Sequence, residues 1–190
     1  LEECGFLSKI FGSKPTENGW KELNNLLAAA PDALAVSADD VHHALKKWGV
    51  KFNDDNFNQR SGIYRKLADV IFTEVQNKED SLWAQLAHLA EILELPPHLA
   101  KQADKAAKTA AYFVRCRDLL AGTEKLDIKQ LNDLFGYDYE DSLSMRKQVF
   151  QAHFNQKFDE ISNAQRYTPE EEAALRADCA TLDIPYELKN

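Results

Sequence analysis

The residue types that most often do chemistry are present in this chain, but none of them stands in a catalytic spacing. The five histidines are His42, His43, His88, His98 and His153. Neighbouring residues on a helix point about 100° apart, so His42 and His43 cannot easily chelate one ion. Neither a His-Glu-x-x-His motif, nor a Cys-x-x-Cys motif, nor a glycine-rich phosphate loop occurs. We predict no catalytic residue, no metal ligand, no cofactor and no enzymatic activity, and only a metal site assembled from distant residues stays open.

Carboxylates are clustered at four places along the chain. The clusters are Asp39-Asp40, Asp54-Asp55, the segment 138–141, and Glu170-Glu171-Glu172. Each coincides with a predicted helix start, where negative charge offsets the helix dipole. Paired-acid catalysis needs two carboxylates held across a cleft, an arrangement that sequence does not reveal. We interpret the four clusters as helix N-termini.

The three cysteines, Cys4, Cys116 and Cys179, are odd in number and lack paired spacing. A disulfide scaffold is therefore not expected. Cys116 and Cys179 lie on predicted helices beside apolar residues, and we expect buried, unreactive thiols. Arg115 and Arg117 flank Cys116 and are the one cue for a reactive thiolate, which needs a cationic, partly open setting.

The composition is that of an acidic globular chain. Among 190 residues, 44% are hydrophobic and 28% are charged, and the net charge is −8. A disordered chain is excluded, and the negative charge argues against nucleic acid or an anionic membrane surface as a partner. No apolar run approaches the roughly 18 residues of a membrane span. The sequence shows no signal-peptide pattern. Because its first residue is Leu1 and not Met, we expect a fragment of a longer protein, with any targeting or membrane segment outside it.

Apolar residues recur with helical period almost throughout. Three such faces are Leu82, Leu86, Leu89 and Leu93; Leu99, Ala103, Ala106, Ala110, Phe113 and Leu120; and Phe150, Phe154, Phe158 and Ile161. Alternating β-branched runs with hairpin turns are absent from the sequence. The predicted fold class is therefore all-α.

Helix starts and ends are marked by capping residues. The spacing of a capping box occurs at Ser37 with Asp40, at Thr168 with Glu171 and, more weakly, at Asp127 with Gln130. Gly49 and Gly136 stand where two helices should end in a residue that tolerates positive φ. Long helices are expected at about 54–77, 97–120 and 139–162.

A degenerate repeat joins these helices. Each short helix ends in an apolar, a variable and a second apolar residue: Trp48-Gly49-Val50, Leu93-Glu94-Leu95, Phe135-Gly136-Tyr137 and Leu182-Asp183-Ile184. The interval of about 45 residues is typical of HEAT or armadillo hairpins. We predict repeat units at 37–77, 80–120, 127–162 and, truncated, 168–190, stacked as a HEAT-like α-solenoid fragment. A compact TerB-like helical bundle is the alternative.

The three tryptophans have two interpretations. Trp20, Trp48 and Trp83 could mark a peptide-binding groove, but aromatic residues at helical spacing more often belong to the core. Trp48 occupies the recurrent anchor position, so we predict that it is buried.

The segment from Phe135 to Leu188 carries a family resemblance. It reads FGYDYEDSLSMRKQVFQAHFNQKFDEIS and, after a break, YTPEEEAALRADCATLDIPYEL, with an earlier copy LADVIFTEVQNKEDSLWAQLAHLAEILELPPHL. This alternation resembles the stromal helical region of the large scaffold subunit of the chloroplast inner-envelope import translocon, the TIC complex. It is similar, more remotely, to bacterial TerB-like domains.

The TIC resemblance implies a HEAT-like superhelix on the stromal side of the chloroplast inner envelope. Such a scaffold would bind transit peptides or preproteins and recruit chaperones, with its membrane anchors N-terminal to this fragment. It transfers no catalytic or binding residue. We therefore expect a non-enzymatic scaffold for protein import. The alternative is a TerB-like stress-response domain in the bacterial cytoplasm that binds a divalent metal or a protein.

Overall fold

The computed structural model describes residues 15–164 and 168–186, and it is helical with no strand in these ranges. The predicted all-α class is confirmed. The helices are α1 (Pro15–Ala29), α2 (Ala38–Lys46), α3 (Phe57–Glu74), α4 (Ser81–Ile92), α5 (Pro97–Leu120), α6 (Ile128–Phe135), α7 (Tyr139–Ala164) and α8 (Pro169–Thr181). Two 3₁₀ turns, Ala33–Ala35 and Asp54–Asn56, precede α2 and α3. No helix in the described ranges is both long and apolar enough to cross a bilayer.

All three predicted capping boxes are confirmed. At α2, the backbone N–H of Asp40 donates to the Ser37 hydroxyl at 3.2 Å, while the N–H of Ser37 donates to the Asp40 carboxylate at 3.0 Å. The same reciprocal pairs begin α6 and α8. Gly49 and Gly136 have φ of 69° and 70°, the left-handed conformation expected at these two helix ends.

The described residues form two compact units. Unit 1 comprises 15–75 and 79–107, and unit 2 comprises 76–78, 108–164 and 168–186. Hairpins of a short and a long helix are compatible with this organisation. The finer division into four repeats, and their stacking as a solenoid, stay predictions.

The core of unit 1 is built where α1 packs on α2 and α3 packs on α4. Trp48 is buried there, as predicted, and its indole N–H donates to the Glu22 carboxylate. α1 approaches closely at Gly19, where an added Cβ would lie 2.8 Å from Cγ2 of Val50. Glycine therefore permits the contact between α1 and the residues that follow α2.

The core of unit 2 is built around α6 and the second half of α5. Tyr112 is fully buried, with its ring edge-on to Phe135 and Tyr137 at 6.0 and 5.3 Å between centroids. Its hydroxyl donates to the amide oxygen of Asn132 at 2.7 Å. The phenol is buried with its hydrogen bond satisfied, so it adds apolar contact without leaving a polar group unpaired.

The buried face of α5 differs from the predicted one. The buried residues of this helix are Ala103, Ala107, Ala111, Tyr112, Arg115 and Cys116. From the predicted face only Ala103 is buried, whereas Ala106 and Phe113 are half-buried and Ala110 is exposed. The prediction was wrong because it treated only apolar residues as core, while Tyr112 and Arg115 are buried with hydrogen-bond partners.

The long helices lie close to their predicted positions. Helix α5 has the predicted bounds, and α7 extends two residues further, to Ala164. Helix α3 is shorter than 54–77, because the Asp54–Asn56 segment forms a 3₁₀ turn and Val75 leaves the helix with ψ of 135°. Phe158 and Ile161 of the third predicted apolar face lie outside the described side chains.

Candidate functional site

His42, His88 and His153 each contact a different partner in the structure. His42 contacts the Glu94 carboxylate at 2.9 Å, His88 contacts a backbone carbonyl at 2.8 Å, and His153 contacts Asp178 at 3.1 Å. In the described part of the chain, no group of three or more His, Cys, Asp or Glu side chains is arranged to hold a metal ion. Each of these three imidazoles makes a local contact within its own unit.

The cysteines that the structure describes are buried, as predicted. Burial raises the pKa of Cys116 to about 12, and it also raises the pKa of Cys179. Arg115, the cue for a reactive thiolate, forms an ion pair with Glu124 at 2.7 Å. Both thiols are therefore held in the protonated form, which is the unreactive one. Cys4 lies outside the described residues.

The carboxylate clusters lie at helix starts, as predicted. Asp39 and Asp40 are in the first turn of α2, Glu170 to Glu172 are in that of α8, and Asp54-Asp55 form the turn before α3. Hydrogen bonds from the side chain and the backbone of Ser37 lower the pKa of Asp40. Asp40 and Glu171 thus take part in capping boxes, and the other carboxylates lie where negative charge offsets the helix dipole.

Unit 1 contains a buried arginine, Arg60, that was not predicted from the sequence. Arg60, on α3, is 2% exposed, and its Nη1 donates to the carbonyls of Leu93 and Glu94 at 3.0 and 2.8 Å. Its Nη2 donates at 2.8 Å to a carbonyl in the loop before α3. The guanidinium lies over the rings of Phe52 and Phe57, at 4.7 and 4.4 Å from their centroids. Arg60 therefore caps the C-terminus of α4 from a neighbouring helix.

Unit 2 contains an equivalent arginine. Arg146, on α7, is fully buried, and its Nη1 donates to the carbonyls of Leu182 and Asp183 at 2.8 and 2.6 Å. Its Nη2 donates to the carbonyl of Tyr139 at 3.2 Å, and the guanidinium lies 4.7 Å from that ring. Arg60 thus caps the turn after α4, and Arg146 caps the turn after α8. The sequence feature that marks these contacts is the recurrent triplet at the end of each short helix. Leu93-Glu94 and Leu182-Asp183 supply the carbonyls that accept the hydrogen bonds.

An apolar groove of about 460 Å³ lies in unit 1 among α1, the 3₁₀ turn at 33–35, α3 and α4. We call it the α3 groove. Each helix contributes residues from one face: Asn24, Leu27 and Ala28 from α1; Ile63, Lys66, Leu67, Val70, Ile71 and Glu74 from α3; and Leu82, Gln85 and Leu89 from α4. Val70 is 49% exposed, which is unusual here for a large aliphatic side chain. The groove therefore presents apolar surface to solvent.

Polar side chains are placed around the α3 groove. Asp32 accepts a hydrogen bond from the N–H of Ala35 at 3.1 Å, and Gln85 accepts one from the N–H of Ala33 at 3.3 Å. These two contacts fix the 3₁₀ turn beside the groove. The charged residues that line it are Asp32, Lys66 and Glu74, so its border carries a small negative excess.

The remaining tryptophans lie outside this groove. Trp20 is half-buried and stacks on Phe52, with 6.3 Å between ring centroids. Trp83 is half-buried and edge-on to Phe72 at 5.3 Å. Each ring packs against another aromatic side chain, and neither lines the α3 groove.

Comparison with protein-family models, with curated proteins and with solved structures finds no match for this chain. The resemblances to the TIC scaffold and to TerB-like domains therefore stay predictions.

Proposed function

We propose that the chain is a non-enzymatic interaction scaffold whose α3 groove binds a basic amphipathic helix. The observation that supports this proposal is the groove itself, which has apolar side chains from three helices and an exposed Val70. Amphipathic helices bind such grooves through apolar residues spaced three and four apart. An exposed apolar groove bordered by polar residues is typical of a protein-interaction site.

The length of the α3 groove suits a short helix. Its α3 side extends from Ile63 to Glu74, which is about 16 Å at 1.5 Å per residue. Roughly three turns of a bound helix would lie along it, presenting three or four apolar side chains. The buried Ile71 and Leu89 form its floor, and Val70 stands at its border.

Charge favours a basic occupant. The chain has a net charge of −8, and Asp32 and Glu74 at the groove outnumber Lys66. Transit peptides are amphipathic, rich in arginine and poor in acidic residues, so their charge is complementary to this surface. Attraction of this kind raises the association rate and weakens as salt is added.

We further propose a role in protein import at the stromal side of the chloroplast inner envelope. In that role the scaffold would bind incoming preproteins and recruit chaperones. This part of the proposal follows from the resemblance of segment 135–188 to the TIC scaffold. Binding of a basic amphipathic helix is the step that can be measured directly with this chain.

The binding step is tested by fluorescence anisotropy with a labelled basic amphipathic peptide of about three to five helical turns. A scrambled peptide of the same composition is the control, because it keeps the charge but loses the apolar face. We expect the amphipathic peptide to bind and the scrambled one to bind at least about tenfold more weakly, a difference of roughly 1.4 kcal/mol.

A variant pair locates the site. Val70→Glu places a charge at the border of the groove, whereas Ala87→Glu adds the same charge at an exposed position of α4 that does not line it. The first should weaken binding about tenfold or more, and the second should change it less than about twofold. Equal affinities for both variants, or for both peptides, would refute the proposal.

A further inference from the structure

A separate cleft of about 370 Å³ lies in unit 1 where α2 ends. We call it the α2 cleft. It is formed by the last turn of α2, the segment 49–52 that follows, and Glu94 in the turn after α4. Leu45 and Val50, which line it, are buried, and Phe52 is half-buried. The cleft thus combines apolar walls with a volume in the range of small-molecule pockets.

The walls of the α2 cleft are held in place by a buried arginine. Nη1 of Arg60 donates to the carbonyl of Glu94 at 2.8 Å, and the guanidinium lies 4.7 Å from the centroid of the Phe52 ring. His42, on α2, contacts Oε1 of Glu94 at 2.9 Å, and its ring is edge-on to Phe52 at 5.6 Å. The cleft is therefore formed before a ligand enters, which lowers the cost of binding.

Positive charge prevails at the α2 cleft. Among its lining residues that the structure describes, Lys46 and Lys51 are exposed cations and Glu94 is the carboxylate. The Glu94 carboxylate is already engaged by His42. This local excess of positive charge occurs in a chain whose net charge is −8. The cleft is thus complementary to a ligand with an apolar body and a negative group.

Unit 2 repeats the frame of the α2 cleft. Nη1 of Arg146 donates to the carbonyl of Asp183 at 2.6 Å, and its guanidinium lies 4.7 Å from the centroid of the Tyr139 ring. The buried arginine of unit 1 makes the same two kinds of contact. In each unit a left-handed glycine follows the short helix, with φ of 69° at Gly49 and 70° at Gly136. The two glycines therefore align the residues of one frame with those of the other.

The two frames differ in charge. Three residues before the glycine, unit 1 has Lys46 and unit 2 has Asp133. Two residues after the glycine, unit 1 has Lys51 and unit 2 has Asp138. A lysine in the last turn of a helix offsets the helix dipole, but the frame of unit 2 forms with an aspartate there. The fold therefore does not require the two lysines, and their charge is available for recognising a ligand.

We infer that the α2 cleft binds a small amphiphilic carboxylate, an organic acid with an aliphatic chain. The chain would lie against Leu45, Val50 and Phe52, and the carboxylate would pair with Lys46 and Lys51. Hydrogen bonds between an ammonium and a carboxylate are about twice as strong as neutral ones. This site shares no lining residue with the α3 groove, so either proposal can fail alone.

The test uses octanoate as the probe, titrated into the full chain and followed by calorimetry and by amide chemical shifts. We expect saturable binding, with shift changes at the end of α2 and in the segment 49–52. Octanol has the same chain without the charge, and octylammonium has the opposite charge. Each should bind at least about tenfold more weakly than octanoate.

A pair of double variants locates the carboxylate. Lys46→Glu with Lys51→Glu gives the α2 cleft the charge of its equivalent in unit 2, and it should weaken octanoate binding about tenfold or more. Lys101→Glu with Lys129→Glu makes the same change in net charge at exposed positions outside the cleft. This control should change the affinity less than about twofold. All four lysines are exposed, so both variants should keep the helical circular dichroism of the wild type.

Four results would overturn the inference. They are no saturable binding of octanoate, equal binding of octanol, equal losses in the two double variants, and chemical-shift changes confined to the α3 groove. A concentration-dependent dimer that Lys46→Glu with Lys51→Glu abolishes would also overturn it. In that case the lysines would pair with acidic residues of a second copy of this chain.

Discussion

Arg115 and Glu124 form a two-point ion pair that is almost fully removed from water. The Nε of Arg115 donates to Oε2 of Glu124 at 2.7 Å, and Nη2 donates to Oε1 at 2.9 Å. Their side chains are 1% and 7% exposed. The carboxylate also accepts hydrogen bonds from the backbone N–H groups of Lys125 and Leu126. One carboxylate thus neutralises a buried cation and fixes the loop between α5 and α6.

The first prediction concerns this pair. Glu124→Ala should lower the free energy of unfolding by about 3–5 kcal/mol, because the buried guanidinium of Arg115 loses its counter-charge. Asp133→Ala is the control, since the Asp133–Lys78 pair is exposed, with 72% of the Asp133 side chain accessible. Asp133→Ala should lower the free energy of unfolding by less than about 1 kcal/mol. Urea denaturation measures both, and losses of equal size would contradict the prediction.

The second prediction concerns Arg60. Arg60→Gln should lower the free energy of unfolding by about 2–4 kcal/mol, because the carbonyls after α4 lose their donors in a buried setting. Arg65→Gln, on the same helix but in a part-exposed pair with Asp69, should change it by less than about 0.5 kcal/mol. Arg60→Lys should restore little of the lost stability, since one ammonium cannot bridge the same carbonyls or stack on an aromatic ring as a planar guanidinium does. Full restoration by lysine would disprove the capping role.

The third prediction concerns alkaline pH. An ordinary thiol has a pKa of 9.0, whereas burial raises the pKa of Cys116 to about 12. Between these values the folded chain holds a proton that the unfolded chain has lost, so the free energy of unfolding falls as the pH rises. Burial also raises the pKa of Tyr64 and Tyr112, which add to the decline at higher pH.

The variant Cys116→Ala isolates the thiol. Its free energy of unfolding should decline less steeply than that of the wild type as the pH rises above about 9. Denaturation curves at a series of alkaline pH values provide the comparison. Cys179→Ala is not a neutral control, because the pKa of Cys179 is raised as well. Thr181→Ala, an exposed position of α8, serves instead, and a slope shared by all three proteins would rule the prediction out.

The fourth prediction concerns the capping box of α8. Thr168→Ala removes the hydroxyl that accepts a hydrogen bond from the N–H of Glu171 at 3.2 Å. The expected loss is about 1 kcal/mol of unfolding free energy. Thr168→Ser should keep most of the cap, because serine supplies the same acceptor. A serine variant as unstable as the alanine variant would show that the hydroxyl is not responsible.

The fifth prediction concerns charge at the α3 groove. The double variant Asp32→Asn with Glu74→Gln replaces both carboxylates by amides. It should weaken binding of the basic amphipathic peptide by roughly twofold to tenfold and make the affinity depend less on salt concentration. Asparagine keeps a side-chain acceptor for the N–H of Ala35, so the 3₁₀ turn should persist. An unchanged affinity at low salt would mean that these charges do not contribute.

Local features of the fold were predictable because they depend on short-range chemistry. The capping boxes at Ser37 and Thr168 and the left-handed glycines Gly49 and Gly136 each involve residues a few positions apart. Their backbone conformations follow from the residue types alone. The burial of Trp48 was also predicted correctly, from its anchor position in the repeat.

Features that depend on tertiary contacts were not predictable in this way. Neither Arg60 nor Arg146 was identified from the sequence, since arginine is seldom buried unless it is paired. The carbonyls that accept hydrogen bonds from their Nη1 atoms lie more than thirty residues away, and hydrophobic periodicity does not detect such contacts. The α3 groove likewise combines faces of α1, α3 and α4, so its residues show no common motif in the sequence.

The turns after α4 and α8 set limits on how this chain can be divided. Glu94 and Asp183 have φ of 48° and 50°, a conformation that non-glycine residues rarely adopt. The carbonyls of both accept hydrogen bonds from arginines on other helices. A synthetic peptide of α4 and its turn should therefore not hold this geometry in isolation, because the arginine that secures it is absent. The smallest fragment that preserves the turn must include the helix that carries Arg60.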